Sequence, residues 1–317
     1  MKIATAVTIA ALAAAAPAAA QTPSAQTPTQ ASPGTLSFAI QSGIRDRGRR
    51  WELAGQPVVV KGVLRPFVAG QTVRVTLFNG GRRASAVVVR VRQRGLWSAR
   101  LHPRRTGNYT ITATHQATAQ QAAANGKPQK FTAIAGDGRH GGADVRLLQV
   151  GLARLGYATS VSGRWDGATG LAVLAFRKVN NMSRTETPDR AIFERLFRGQ
   201  GGFRLRYPNS GRHVEFSWTK QVVVLADHGR AELIYHASSG KPSTPTVFGH
   251  FRFYRKDPGT NSEGMFDSNY FIGGYAIHGY PDVPTYPASH GCIRVPNSDA
   301  PQIFGWVKLG MSIFVYR

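Results

Sequence analysis

The sequence predicts a multidomain chain: an all-β sandwich over 35–135, a small three-helix domain over 136–199 and a mostly-β domain over 201–317. Three observations predict it. Apolar residues alternate with period two in the first segment, recur at helical spacing in the second, and return to period two in the third. The length of 317 residues suits two or three domains at roughly 100–200 residues each. A hydrophobic fraction of 42% separates the chain from disordered and fibrous classes.

Residues 1–20 have the pattern of a secretory signal peptide. Lys2 supplies the positive start, residues 3–16 are largely apolar, and Ala18-Ala19-Ala20 offers small residues for cleavage before Gln21. No cysteine follows that stretch to carry a lipid, and no window is long enough to span a bilayer. The expectation is an exported protein of bacterial type, located in the periplasm or cell wall, with no membrane span. Residues 21–34, rich in Pro, Thr, Gln, Ser and Ala without charge, read as a disordered linker.

The first domain rests on alternation. Val73, Val75 and Leu77 alternate with Thr72, Arg74 and Thr76, and Asn79-Gly80-Gly81 is a hairpin turn signal. Trp97, Ala99 and Leu101, then Tyr109, Ile111 and Ala113, repeat the pattern. The spacing loosely resembles an immunoglobulin-like sandwich, without its diagnostic cysteines. This segment holds 17 Lys and Arg against two acidic residues, so most of the chain's formal charge of +24 sits here. In an exported chain that charge points away from nucleic acid and toward anionic wall polymers. It reads either as an electrostatic tether or as the solvated face of a spacer.

The second domain shows helical stripes. Val145, Leu148, Leu152 and Leu155 share one face, with Gly156 placed to end the helix. Ala172, Ala175, Phe176 and Val179 form another stripe. Thr187-Pro188-Asp189 reads as an N-cap, a proline at the first helical position and an acid in the first turn, leading into Ile192, Leu196 and Phe197. The glycine-rich run 136–142 lacks the lysine of a phosphate-binding loop and reads as linker. The run 141–157, Gly163-Arg164-Trp165-Asp166 and the run 169–182 resemble the peptidoglycan-binding domain 1 family. The matching residues are mostly core and turn positions, so the resemblance speaks for fold more than for glycan binding.

In the third domain Val214–Phe216, Gln221–Leu225, Ala231–His236, Phe251–Phe253, Ala276–His278 and Ser312–Tyr316 read as strands, and Asp299–Leu309 as a helix. Glycines and prolines gather over 257–290, which suggests loops around a site. The single cysteine, Cys292, excludes an intramolecular disulfide and any multi-cysteine metal site. It lies in Ser289-His290-Gly291-Cys292-Ile293-Arg294, downstream of Ile277-His278-Gly279. A thiol needs a base or positive charge to become a thiolate at neutral pH, and His278 and His290 are candidates. Gly291 lets the main chain bend, and N–H groups at such a turn can face a developing oxyanion.

This constellation resembles the L,D-transpeptidase catalytic domain (YkuD-type) over about residues 212–317. Ser239-Gly240-Lys241, Thr244-Pro245-Thr246 with Gly249, and Asp299-Ala300 extend the likeness. The resemblance implies Cys292 as nucleophile, His278 as the histidine that takes its proton, and the Gly279 carbonyl as the group orienting that ring. It implies the N–H groups of Gly291 and Cys292 as oxyanion donors, and Ser289 and His290 as residues shaping the substrate pocket. Arg294 stands either as a carboxylate-binding residue or as the partner of an acid such as Asp299.

The implied reaction is attack on the third residue of a peptidoglycan tetrapeptide stem, release of D-alanine and transfer to an amine of a second stem, without metal or organic cofactor. The alternatives are an L,D-carboxypeptidase, a Cys–His peptidoglycan endopeptidase and a non-catalytic wall-binding protein. A metallopeptidase drawing on His250, His278, His290 and Asp282 fits no zinc spacing. Two departures from the family stand out: only ten residues separate His278 from Ser289, with Pro281, Pro284 and Pro287 among them, and position 294 is arginine where some members have asparagine.

Overall fold

The computed structural model describes residues 31–138 and 142–317. The expected signal peptide and residues 21–30 of the linker lie outside the described residues. Residues 31–34, expected as linker, run against the first domain, where the Ala122 N–H donates to the Ser32 carbonyl at 2.9 Å.

The N-terminal segment contains β1 (Thr35–Ile40), β2 (Ile44–Asp46), β3 (Arg49–Leu53), β4 (Val58–Arg65), β5 (Thr72–Asn79), β6 (Arg82–Arg90), β7 (Leu96–Leu101), β8 (Gly107–His115), β9 (Ala124–Asn125) and β10 (Gln129–Ile134). One sheet runs β1-β4-β7; the other runs β2-β3-β10-β8-β5-β6, with β9 beside β8. Period-two patterning sends Val58, Val60, Val73, Val75, Leu77 and Ile111 into one core shared by both sheets. Gly80 and Gly81 take positive φ in the β5–β6 turn, as the Asn-Gly-Gly signal requires. Edge strand β6 carries Arg82, Arg83 and Arg90, all exposed, a charge pattern that blunts edge-to-edge pairing.

Three helices follow: α1 (Ala143–Arg154), α2 (Gly167–Val179) and α3 (Arg190–Phe197). Asp166 caps α2 by accepting from the Thr169 N–H at 2.8 Å. The cap of α3 is Asp189, which accepts from the Ile192 N–H at 3.1 Å; it is not Thr187. The Thr187 carbonyl is taken instead by the Arg177 guanidinium at 2.7 Å, so Pro188 precedes the cap rather than following it.

These helices do not close a core of their own. Leu148, Phe176 and Phe193 pack in one cluster with Ile44, Leu53 and Ile134 on one side and Val222, Val224 and Ile234 on the other. Three short helices enclose too little apolar surface alone, and both flanking sheets complete the burial. The helical segment is therefore wedged between its neighbours. Asp46 and Arg146 pair across one seam at 2.8 Å. On the other side the Ile234 N–H donates to the Gly156 carbonyl at 2.8 Å, which covers a sheet edge.

The C-terminal segment contains β11 (His213–Ser217), β12 (Val222–Asp227), β13 (Arg230–His236), β14 (Gly249–Arg252), β15 (Arg255–Thr260), β16 (Phe266–Ile272), β17 (Tyr275–Tyr280), β18 (Ile293–Pro296), α4 (Ala300–Trp306) and β19 (Ser312–Tyr316). A five-stranded sheet runs β13-β12-β11-β19-β14 and a four-stranded one runs β15-β16-β17-β18. Val214, Phe216, Phe271, Ile277, Ile293 and Ile303 join both sheets and α4 in one core.

Two expectations fail here. Much of 257–290 is strand rather than loop: Pro258 and Gly259 sit at a register irregularity of the β15–β16 pair, so turn-type residues occur inside a ladder. The last helix is also shorter than Asp299–Leu309. It ends at Trp306 because Val307 turns extended, at φ −70° and ψ 135°, and buries its side chain.

Candidate active site

The site forms where β17 and β18 run parallel. Their register sets Ile277 against Ile293 and His278 against Arg294, so Cys292 stands one residue before β18, beside the strand that carries His278. A connection between parallel neighbours usually needs a crossover. Here residues 281–292 supply it as a proline-rich loop ending in the turn Ser289–Cys292.

That turn is held by one hydroxyl. Ser289, 1% exposed, donates through Oγ to the Cys292 carbonyl at 2.6 Å and accepts from the Gly291 N–H at 3.1 Å. Gly291 has φ +121°, and a Cβ there would lie 2.0 Å from Tyr275 Cε1, so only glycine fits. A second loop cradles the turn from outside. The Ser239 carbonyl accepts from the Ala288 and Ser289 N–H groups, and the Lys241 N–H donates to the Ser289 carbonyl at 2.9 Å. Thr246 Oγ1 accepts from the Gly240 N–H at 2.9 Å and donates to the Gly291 carbonyl at 2.7 Å.

His278 is buried, and its Nδ1 sits 2.8 Å from the Gly279 carbonyl. A carbonyl only accepts, so the proton is on Nδ1 and Nε2 keeps a free lone pair. Burial pushes its pKa down to about 4; the Gly279 bond opposes this and the Arg294 charge adds to it. The ring is therefore a neutral base at neutral pH. Cys292 is half-buried, its thiol directed to the Gly274 carbonyl at 3.6 Å. Burial raises its pKa, while a hydrogen bond from the Ala276 backbone pulls the other way. At neutral pH Cys292 is thus a thiol and His278 a neutral imidazole.

The remaining expected residues divide. The Gly291 N–H is engaged by Ser289 Oγ, which removes it from the free oxyanion donors. Ser289 faces inward and braces the turn. His290 is exposed, with Lys241 Nζ 3.3 Å from its Nε2. Arg294 stacks on the Tyr280 ring at 3.9 Å, and no ion pair joins it to Asp299 among the described residues. Asp299 is half-buried, and that burial raises its pKa to about 6. The four candidates for a metal set are likewise not gathered: His250 lies on β14, stacked on Phe314 and bonded to Ser312 Oγ.

Residues 211–315 match the YkuD family, the L,D-transpeptidase catalytic domain. The crystal structure of an L,D-transpeptidase from Xylanimonas cellulosilytica is 32% identical, with a TM-score of 0.52, over 56% of this chain and 94% of that one. The chain belongs to the L,D-transpeptidase family. The catalytic domain of the Enterococcus faecium L,D-transpeptidase, solved by NMR, is 27% identical over 33% of this chain and 97% of that one, at a TM-score of 0.30. No match is found among curated proteins. Peptidoglycan cross-linking is the business of this transpeptidase family, and no helix among the described residues is long and apolar enough to cross a membrane.

For this L,D-transpeptidase, sequence reasoning singles out Ser239, Gly240, Lys241 and Thr246 through the resemblance but gives them no role as a cradle, and it misses the groups around the thiol. Gly274 and Ala276 act through backbone atoms, which carry no side-chain signature. It also misses Lys178, 2% exposed on α2. A signal for it exists: Lys178 follows Ala175 by three positions, on the buried stripe.

Proposed function

We propose that the protein is an exported cysteine L,D-transpeptidase that joins peptidoglycan stem peptides. The observation that carries the reading is His278, fixed by the Gly279 carbonyl with Nε2 unprotonated, on the strand paired with the one that Cys292 opens. Family membership supports the substrate class.

In the first half-reaction the Cys292 thiol gives up its bond to Gly274 and passes its proton to His278 Nε2. The sulfur attacks the carbonyl of the third stem residue, a diamino acid. The Cys292 N–H is then the oxyanion donor from the turn, since Ser289 occupies that of Gly291. The C–N bond to D-alanine then breaks, His278 returns the proton to the leaving amine, and a thioester remains. In the second half-reaction an amine of another stem attacks the thioester, His278 takes the amine proton, and the thiol is regenerated.

The basic N-terminal segment fits an electrostatic tether to anionic wall polymers. A groove of about 530 Å³ there is lined by Arg49, Arg50 and Lys130, and shares no residue with the Cys292 site.

The test compares wild type with Cys292→Ala on purified tetrapeptide stems, with mass detection of acyl-enzyme and dimer. Wild type is expected to show both, the variant neither. Product from the alanine variant refutes the mechanism; shortened monomers alone, even with paired stems, would assign a carboxypeptidase instead.

A further inference from the structure

Lys178 is a buried amine on α2 that the acyl-transfer chemistry does not use. Its Nζ meets three groups, all from the C-terminal segment: the Gln221 carbonyl at 3.1 Å, the Ala237 carbonyl at 2.9 Å and His236 Nδ1 at 2.6 Å. The hydrogen positions follow from the acceptors. His236 Nε2 lies 2.8 Å from the Val283 carbonyl, which can only accept, so the ring proton is on Nε2. Burial pushes the His236 pKa down to about 3, so the ring is neutral and Nδ1 accepts from Lys178. Three acceptors therefore surround the Lys178 amino group, whose pKa burial pulls down to about 6. Such a buried polar group is costly unless its hydrogen bonds are met.

The groups it holds lead to the nucleophile. Val283 belongs to the loop between His278 and Ser289. Residues beside His236 and Ala237 bind the far end of that loop: Ser238 Oγ donates to the Tyr286 carbonyl at 2.6 Å, and the Ser239 carbonyl accepts from the Ala288 and Ser289 N–H groups. Gln221 fixes Ser239 in turn, accepting from its N–H at 2.8 Å. A second, independent contact comes from Arg184, beyond the end of α2. Its guanidinium donates to the Thr285 carbonyl and, at 3.2 Å, to the Thr219 carbonyl. The loop is thus held from the helical segment at Val283, by way of His236, and at Thr285, and the residue that follows it, Ser289, is the one whose hydroxyl shapes the Cys292 turn.

We infer that Lys178 and Arg184 are positioning residues for acyl transfer, through which the helical segment holds the 281–288 loop and, by way of Ser289, sets the geometry of Cys292. The inference rests on the proposed reaction at Cys292. It gives the helical segment a role in catalysis that needs no glycan contact, and it makes the two segments one catalytic unit.

The test uses the full chain with Lys178→Met, which keeps the apolar stem, and Arg184→Gln, at an exposed position where folding is not at risk. Amide hydrogen exchange over 281–289 and single-turnover acylation by a tetrapeptide stem are measured for each. Expected are faster exchange in the loop and acylation about tenfold slower at saturating substrate, with the half-saturating concentration little changed, as for a misplaced reacting group. Lys178→Arg, which keeps hydrogen-bond donors at the site, is expected to recover part of the rate. Unchanged exchange and acylation in Arg184→Gln and in folded Lys178→Met, with an active wild type, overturn the inference alone. A wild type that is never acylated overturns the reaction and the positioning role together.

Discussion

Ser289 Oγ bridges to the Cys292 carbonyl at 2.6 Å while accepting from the Gly291 N–H, so one buried hydroxyl spans the turn that presents the thiol. Ser289→Ala removes both bonds and leaves a carbonyl and an N–H without their partner, at about 1–3 kcal/mol for each group left buried. The expected outcome is a folded protein with a lower melting temperature and acylation slowed about tenfold to a hundredfold, because the sulfur loses its fixed position. Ser289→Thr retains a hydroxyl and should recover more activity than alanine. Equal acylation by wild type and alanine variant would show that the turn holds its shape without the bridge.

The protonation state of the pair gives a pH signature. His278, at about 4, is an available base throughout the neutral range and is lost only as acid protonates Nε2. Acylation at saturating substrate should therefore be flat around neutrality and fall on the acid side with a midpoint near that value. The Cys292 thiol, raised by burial, should react with iodoacetamide more slowly at pH 7 than a free cysteine does, and faster as pH rises. Rapid alkylation persisting to pH 5 would reveal a thiolate–imidazolium pair and sink this assignment.

The family was legible in the sequence because its motif is written locally. Cys292, His290 and Gly291 are contiguous, and His278-Gly279 lies a short way upstream. The strand alternation of β5, β7 and β8 was equally plain, since one face of each is buried and the other largely wet. What escaped was of longer range. β18 is four residues long and contains a proline, and β15 carries Pro258-Gly259, so neither shows a clean period. The helices read as a separate domain because their stripes are complete in sequence, whereas the partners that complete their core, Leu53 and Val224 among them, lie about 90 residues before and 70 after α1 in the chain. Lys178 was hidden by its type: a lysine at the end of an apolar stripe reads as solvated, and only its three acceptors reveal it as buried.

Gly291 carries a steric prediction. Its φ of +121° is one that side chains rarely adopt, and an added Cβ would sit 2.0 Å from the Tyr275 ring. Gly291→Ala should cost about 2 kcal/mol or more and abolish acylation, since Tyr275 or the turn must move. The double variant with Tyr275→Ala removes the ring clash but not the backbone strain. It should recover part of the stability and little activity. Full recovery of both would assign the whole cost to the ring; no recovery of stability would assign it to φ.

Glu52 offers a stability test far from the chemistry. It is 3% exposed on β3, where its Oε1 accepts from Ser42 Oγ at 3.0 Å. Burial pushes its pKa up to about 7, against an ordinary 4.5, with the Ser42 bond and the Arg50 charge opposing. A carboxyl whose folded pKa is raised binds its proton more tightly when folded. Its contribution to stability is whole below pH 4.5 and is lost as pH climbs through 7. Two and a half units correspond to at most about 3 kcal/mol. Glu52→Gln, which mimics the protonated acid, should therefore match wild type near pH 4 and exceed it by up to that amount at pH 8, in urea unfolding at the two pH values. A difference that does not change with pH would mean that Glu52 is ionised in the fold, sustained by Arg50 and Ser42.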